Sequence, residues 1–145
     1  MSPLAGHPFL LGFPPLPQGG TSFVGTILGP PETPGTARAW TDGFLPIFSH
    51  LYGVTLEPGS LNLRLPSPVE WEDPYELDIE GRHWEFCPVV LEERQVGVAY
   101  RMDRRFPNLI EIVSVVDLRR ALGGLPDGAR VAARLLPGWD LRPAA

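Results

Sequence analysis

Lysine is missing altogether from this 145-residue chain: all 12 basic residues are arginine. That absence excludes Schiff-base catalysis, a lysine general base and the lysine of a Walker-type phosphate loop. Any phosphate must be held by arginine, backbone N–H groups or a metal ion. Cysteine is nearly absent too. Cys87 stands alone, so no intramolecular disulfide and no cysteine-based zinc site can form, and a reducing cytoplasm is the expected compartment. His7, His50 and His83 lie far apart without metal-ligand spacing and read as surface or helix-face residues. No stretch approaches the roughly 18 apolar residues of a membrane span, so no membrane partner is expected. Positive charge is also short. A formal net charge of −5 argues against a duplex-binding module, which draws most of its affinity from neutralising phosphates, and nucleic acid is not expected as a partner.

What the chain has in quantity is proline (18) and glycine (16), beside an ordinary apolar share of 43%, the composition of a turn-rich globular protein with one core. Eight of the prolines fall within the first 34 residues. Residues 1–20 read as a proline-rich arm. Its apolar patch of Phe9, Leu10, Leu11 and Phe13 lacks a basic flank and is interrupted by Pro8, Pro14, Pro15 and Pro17, unlike a signal peptide. Residues 21–137 read as the folded domain and 138–145 as a short tail. A monomer is expected, with the arm's apolar patch offering contacts for a weak homodimer.

Within the domain, Ser22–Leu28 is a β-rich run, followed by a proline-containing loop from Gly29 to Thr36. Phe44, Leu45, Ile47, Phe48, Leu51 and Tyr52 recur at helical spacing before Gly53 and predict a short helix. Ser60–Leu65 alternates polar and apolar residues, predicting a half-buried strand with Leu61, Leu63 and Leu65 inward and Ser60, Asn62 and Arg64 on the other face. Glu76–Ile79 and His83–Leu91, joined at Glu80-Gly81-Arg82, read as a hairpin. Gln95–Met102, Ile110–Val116 and Ala129–Leu136 are further strands. Asp117 caps one or two helical turns that end at Gly123-Gly124. Six or seven strands and two short helices, without regular strand–helix alternation, predict a mainly β, compact barrel with helical insertions.

Ser60 and Asn62 place a hydroxyl and an amide oxygen on one side of a strand, hard donors of the kind that Mg²⁺ accepts, although such residues also occur simply solvated. Trp71, Tyr75, Trp84 and Phe86 are aromatic enough to stack on a planar ring, but strand aromatics more often fill a core. Cys87, within an apolar strand, reads as a buried structural thiol. Glu70-Trp71-Glu72-Asp73 reads as a solvated connection. Arg101, Arg104 and Arg105 form the basic cluster, equally suited to anion binding and to plain surface charge.

The segment Gly59-Ser60-Leu61-Asn62-Leu63-Arg64-Leu65, the helix pattern before it, and the downstream Ile110-Glu111-Ile112-Val113 and Asp117-Leu118-Arg119 together resemble the CTP-dependent riboflavin kinases, over about residues 24–136. The resemblance implies a cradle-loop, six-stranded β-barrel that transfers the γ-phosphoryl group of CTP to riboflavin, giving FMN. It implies Mg²⁺ held at Ser60 and Asn62, and flavin contacts at Glu111 and Asp103, with Glu111 orienting or deprotonating the attacking hydroxyl. It also implies nucleotide contacts at Gly29, Gly35, Thr36, Arg38, Val116, Asp117, Leu118 and Arg119. Three positions depart from the family pattern. Pro30, Pro31 and Pro34 stand in the loop where the family has phosphate-wrapping glycines, and each removes a backbone donor. Asp103 replaces a threonine, with Arg101, Arg104 and Arg105 as the obvious residues to offset its charge. Val115 to Arg119 replace the family's base-reading segment. These departures suit an alternative: a catalytically degenerate barrel that binds a flavin, a nucleotide or a protein.

Overall fold

The computed structural model describes residues 19–29, 61–79, 81–114 and 116–137. The predicted helix over 44–53, most of the arm and the tail lie outside them. Seven strands run in chain order: β1 (Thr21–Ile27), β2 (Leu61–Arg64), β3 (Tyr75–Ile79), β4 (Arg82–Leu91), β5 (Gln95–Met102), β6 (Leu109–Val113) and β7 (Arg130–Leu135), with one helical turn, α1 (Leu118–Ala121), between β6 and β7. All pairings are antiparallel. The order β4-β5-β6-β2-β1-β7 returns to β4 through a β4–β7 pairing, so six strands close a barrel and β3 lies outside, paired to β4. The architecture is therefore a mainly β barrel, as the sequence pattern predicts, and of the two predicted short helices only the turn α1 falls among the described residues.

Closure depends on β4, which is ten residues long and changes partner along one edge. Tyr75–Ile79 of β3 pairs with Arg82–Phe86, and β7 then takes over at Val89–Leu91. Pro88 sits at the change. Its carbonyl accepts from the Leu136 N–H at 2.9 Å, so its donor-less nitrogen faces the same edge, between the end of β3 and the start of the β7 ladder. A proline inside a strand is tolerated there because no ladder bond is lost.

Alternation divides the strands into two faces. Ile27, Leu61, Leu63, Cys87, Val89, Leu91, Ala99, Ile110, Ile112, Val131, Ala133 and Leu135 fill the barrel, joined by Leu118 and Leu122 from the α1 turn. The outward residues of β4 and β5 are buried as well, Phe86, Val98 and Tyr100 among them. The strand predicted over 110–116 stops at Val113, because Ser114 turns away, its hydroxyl donating to the Val96 carbonyl at 2.8 Å. Asp117 then caps α1 by accepting from the Arg120 N–H, and Gly123 and Gly124 end it at positive φ.

Candidate functional site

The strongest cluster of buried polar groups grows from the β2–β6 ladder. Leu61 faces Ile112 and Leu63 faces Ile110, and these four side chains enter the barrel. The residues between them, Asn62 and Glu111, face each other across the same ladder and point outward. Each is only 7% exposed, so the solvated reading of Asn62 does not hold. Along the same row, β5 sets Tyr100 beside Glu111, and β4 sets Phe86 beside Tyr100. Glu111 therefore has an amide on one flank and aromatic rings on the other. No arginine among the described residues forms an ion pair with it, and burial alone pushes its carboxyl up to about 7. With Tyr100, Arg101, Met102, Arg105 and Phe106, Glu111 lines a void of only about 10 Å³. Ser60, the other expected metal ligand, lies outside the described residues.

Leu28 joins this pair to a second cluster. Its N–H donates to the Asn62 carbonyl at 2.9 Å, and its own carbonyl accepts from Arg119 Nη2 at 3.2 Å. Arg119 also pairs with Asp127 at 2.6 Å. Gly29 lies against that carboxylate so closely that a Cβ there would stand 2.0 Å from Asp127 Oδ2, and a larger residue would have to displace the Asp127 side chain. Gly29 and Arg119, both expected at a nucleotide, are thus brought together. Gly35, Thr36 and Arg38 lie outside the described residues. Val116 is exposed, whereas Asp117 is engaged as the α1 cap and the Leu118 side chain is in the core, which leaves Leu118 only its backbone for a ligand.

Asp103 is placed differently from expectation. The turn between β5 and β6 points it back to β4, where Oδ1 accepts from the His83 N–H at 2.9 Å and Oδ2 lies 3.4 Å from Arg82 Nη1. Its charge is met by Arg82, not by Arg101, Arg104 and Arg105. Two members of that cluster serve Glu85 instead: Arg101 binds it through Nε and Nη2 at 2.9 and 3.3 Å, and Arg104 approaches at 3.4 Å. Arg105 lies over the Phe106 ring at 5.1 Å. Trp84 and Phe86 are buried and stacked on each other, and the Trp71 ring carries the Arg101 guanidinium at 4.4 Å. Cys87 is buried, which pushes its thiol up to about 12, too high for a nucleophile at neutral pH. His83 bridges Asp78 and Glu76 at 2.9 and 3.1 Å, and these bonds raise its pKa.

No protein-family model and no curated protein matches the chain. Among the described residues no helix is long and apolar enough to cross a membrane, and no group of three or more His, Cys, Asp and Glu side chains is arranged for a metal ion. Two residues of interest have no motif in the sequence. Asp127 reads there as part of the turn Pro126-Asp127-Gly128, and its pairing with Arg119 exists only once α1 and the turn before β7 meet. Phe106 reads as loop, and its exposure follows from the strand ends on either side.

Proposed function

We propose that the chain is a riboflavin-kinase-like phosphotransferase, moving a phosphoryl group from CTP or another nucleoside triphosphate to riboflavin to give FMN, in a reducing cytoplasm. The observation that carries this reading is the cross-strand pair Asn62–Glu111, a buried amide beside a buried carboxyl. A carboxyl poised near neutrality is suited to general-base work. Glu111 takes the proton of the ribityl 5′-hydroxyl as that oxygen bonds to the γ-phosphorus. The bond from the γ-phosphorus to the β–γ bridging oxygen breaks, and the nucleoside diphosphate leaves. Positioning and charge stabilisation supply most of the acceleration of such transfers. Arg119 and the backbone at Gly29 face the phosphates.

The Asn62 amide oxygen is a hard donor of the kind a divalent cation accepts. Asn62, with Ser60, would hold Mg²⁺, which when bound neutralises charge on the phosphate oxygens. Neutral ligands leave the cation's charge for the nucleotide. A second reading, a barrel that binds flavin or nucleotide without turnover, draws on Pro30, Pro31 and Pro34 and on the neutralisation of Arg119 by Asp127.

The test is FMN formation from riboflavin with CTP, ATP and GTP, each with Mg²⁺. Turnover with at least one nucleotide is expected, and Asn62→Ala is expected to lower it by roughly 10–100-fold, as loss of a metal-positioning group does, without unfolding the protein by circular dichroism. No product with any nucleotide, together with flavin fluorescence quenching, would support the binding module instead.

A further inference from the structure

The aromatic residues best suited by sequence to stack on a flavin ring are already engaged. Phe86 and Trp84 are buried against each other, and Arg101 lies over Trp71. Among the described residues the exposed large aromatic is Phe106, with 41% of its surface accessible. Its backbone is in the left-handed region, φ 54°, and Pro107 follows directly. Left-handed backbone is costly for a bulky residue, and the ring of a following proline further pushes its predecessor toward extended conformations. The chain therefore holds an aromatic side chain at the surface in a strained conformation, without gaining full burial for it. Strain of this kind collects at ligand sites, where it fixes a side chain in advance.

Position supports the same conclusion. On one side Phe106 lines, together with Glu111, a small void of about 10 Å³. On the other it borders a groove of about 410 Å³ between the ends of β1 and β2 and the β5–β6 connection, lined also by Leu28, Arg64, Leu65 and Asn108. That volume is within the range of small-molecule sites, roughly 300–1,000 Å³. The described lining is apolar apart from Arg64 and Asn108, polar residues at the edge where the carbonyl and imine acceptors of a ring would lie. Arg105, over the Phe106 ring at 5.1 Å, fixes it from one face.

We propose that Phe106 is the stacking platform of a site for a planar, acceptor-rich fused heterocycle, which lies in the groove with its edge toward Arg64 and Asn108. This deepens the phosphotransferase reading and rests on it for one point only: the ring is that of the acceptor.

The experiment titrates the full chain against riboflavin and against lumichrome, the ring without its ribityl chain, by fluorescence quenching. Phe106→Ala is expected to weaken both probes roughly tenfold, as removal of a stacking partner does, and Phe106→Trp to preserve them. Phe106→Asn, whose side chain tolerates left-handed backbone, is expected to keep the unfolding midpoint of the parent and still lose binding, which a merely structural aromatic would not do. Equal affinity of the parent and Phe106→Ala for lumichrome overturns the site, as does the absence of quenching of either probe by the parent. The two readings separate cleanly. Lumichrome binding that depends on Phe106, without phosphorylated product from any triphosphate, keeps the ring site and removes the kinase. Turnover with an unchanged riboflavin KM in Phe106→Ala keeps the kinase and removes the ring site.

Discussion

Glu111 carries a cost that its neighbours do not offset. Its carboxyl is buried beside Asn62 and Tyr100, and desolvation raises its pKa to about 7 from an ordinary value of 4.5. Between those values the folded protein holds a proton that the unfolded chain has lost, so stability falls as pH rises from about 4.5 to about 7 and stays low above. At about 1.4 kcal/mol per pKa unit the loss approaches about 3 kcal/mol. Glu111→Gln removes the charge and keeps the shape. It is expected to raise the unfolding free energy from urea denaturation at pH 8 by an amount of that order and to leave it nearly unchanged at pH 4.5; equal values at pH 8 would show that the carboxyl is not destabilising. The same variant is expected to abolish turnover, while the parent's kcat/KM rises with pH across a limb near 7 as the base ionises. Glu111 was legible in the sequence as a candidate base, but the depth of its burial was not. Alternation assigns a side chain to one face of a strand, and it does not say whether that face is covered. Asn62 shows the same gap, expected on an outward face and found 7% exposed.

Elements were easier to read than their partners. β5 and the β3–β4 hairpin follow from β-branched and aromatic runs bounded by turn residues, and the hairpin closes at Gly81 with φ 77° as the turn chemistry requires. Register is another matter. Arg101 looked like part of a surface anion cluster because three arginines lie within five positions, yet the β4–β5 ladder sets it directly opposite Glu85. Glu85 is 1% exposed, held by Arg101 in two bonds, with Arg104 approaching from the surface. Removing one partner of a buried ion pair strands the other, a loss of about 3–5 kcal/mol, whereas exposed pairs contribute about 0–1 kcal/mol. Arg101→Met is therefore expected to lower the denaturation midpoint sharply and Arg104→Met hardly at all. Similar losses from both would mean that Arg104 carries the Glu85 charge equally. Asp103 makes the parallel point: its partner is Arg82 across the strand end, which no reading of adjacent residues could supply.

At the scale of the whole molecule, the barrel is closed and full, and this decides where a ligand can go. Six strands enclose little space, and here the enclosed space is taken by leucine, isoleucine and valine side chains. Two glycines show how tight it is. A Cβ at Gly25 would stand 2.8 Å from the Leu63 Cβ, and one at Gly97 would stand 2.7 Å from Ile112 Cγ2 and 2.8 Å from the Val113 carbonyl oxygen. With the enclosed space among the described strands taken up by side chains, a ligand would have to lie on the outer face or rim, which is where Asn62, Glu111, the Arg119–Asp127 pair and Phe106 are found. Because Ile112 and Val113 neighbour Glu111 on β6, crowding at Gly97 would act on the site through the strand that carries it. Gly97→Ala is expected to cost about 1–3 kcal/mol, the range for overpacking a filled core, since one of the two contacts is backbone and cannot rotate away. The measurement is the urea midpoint together with lumichrome and riboflavin binding. A lowered midpoint with weakened riboflavin binding is the expected result, from a β6 displaced beneath Glu111. An unchanged midpoint would mean that the interior can yield by the few tenths of an ångström needed, and that a filled barrel does not force a ligand to the outer face.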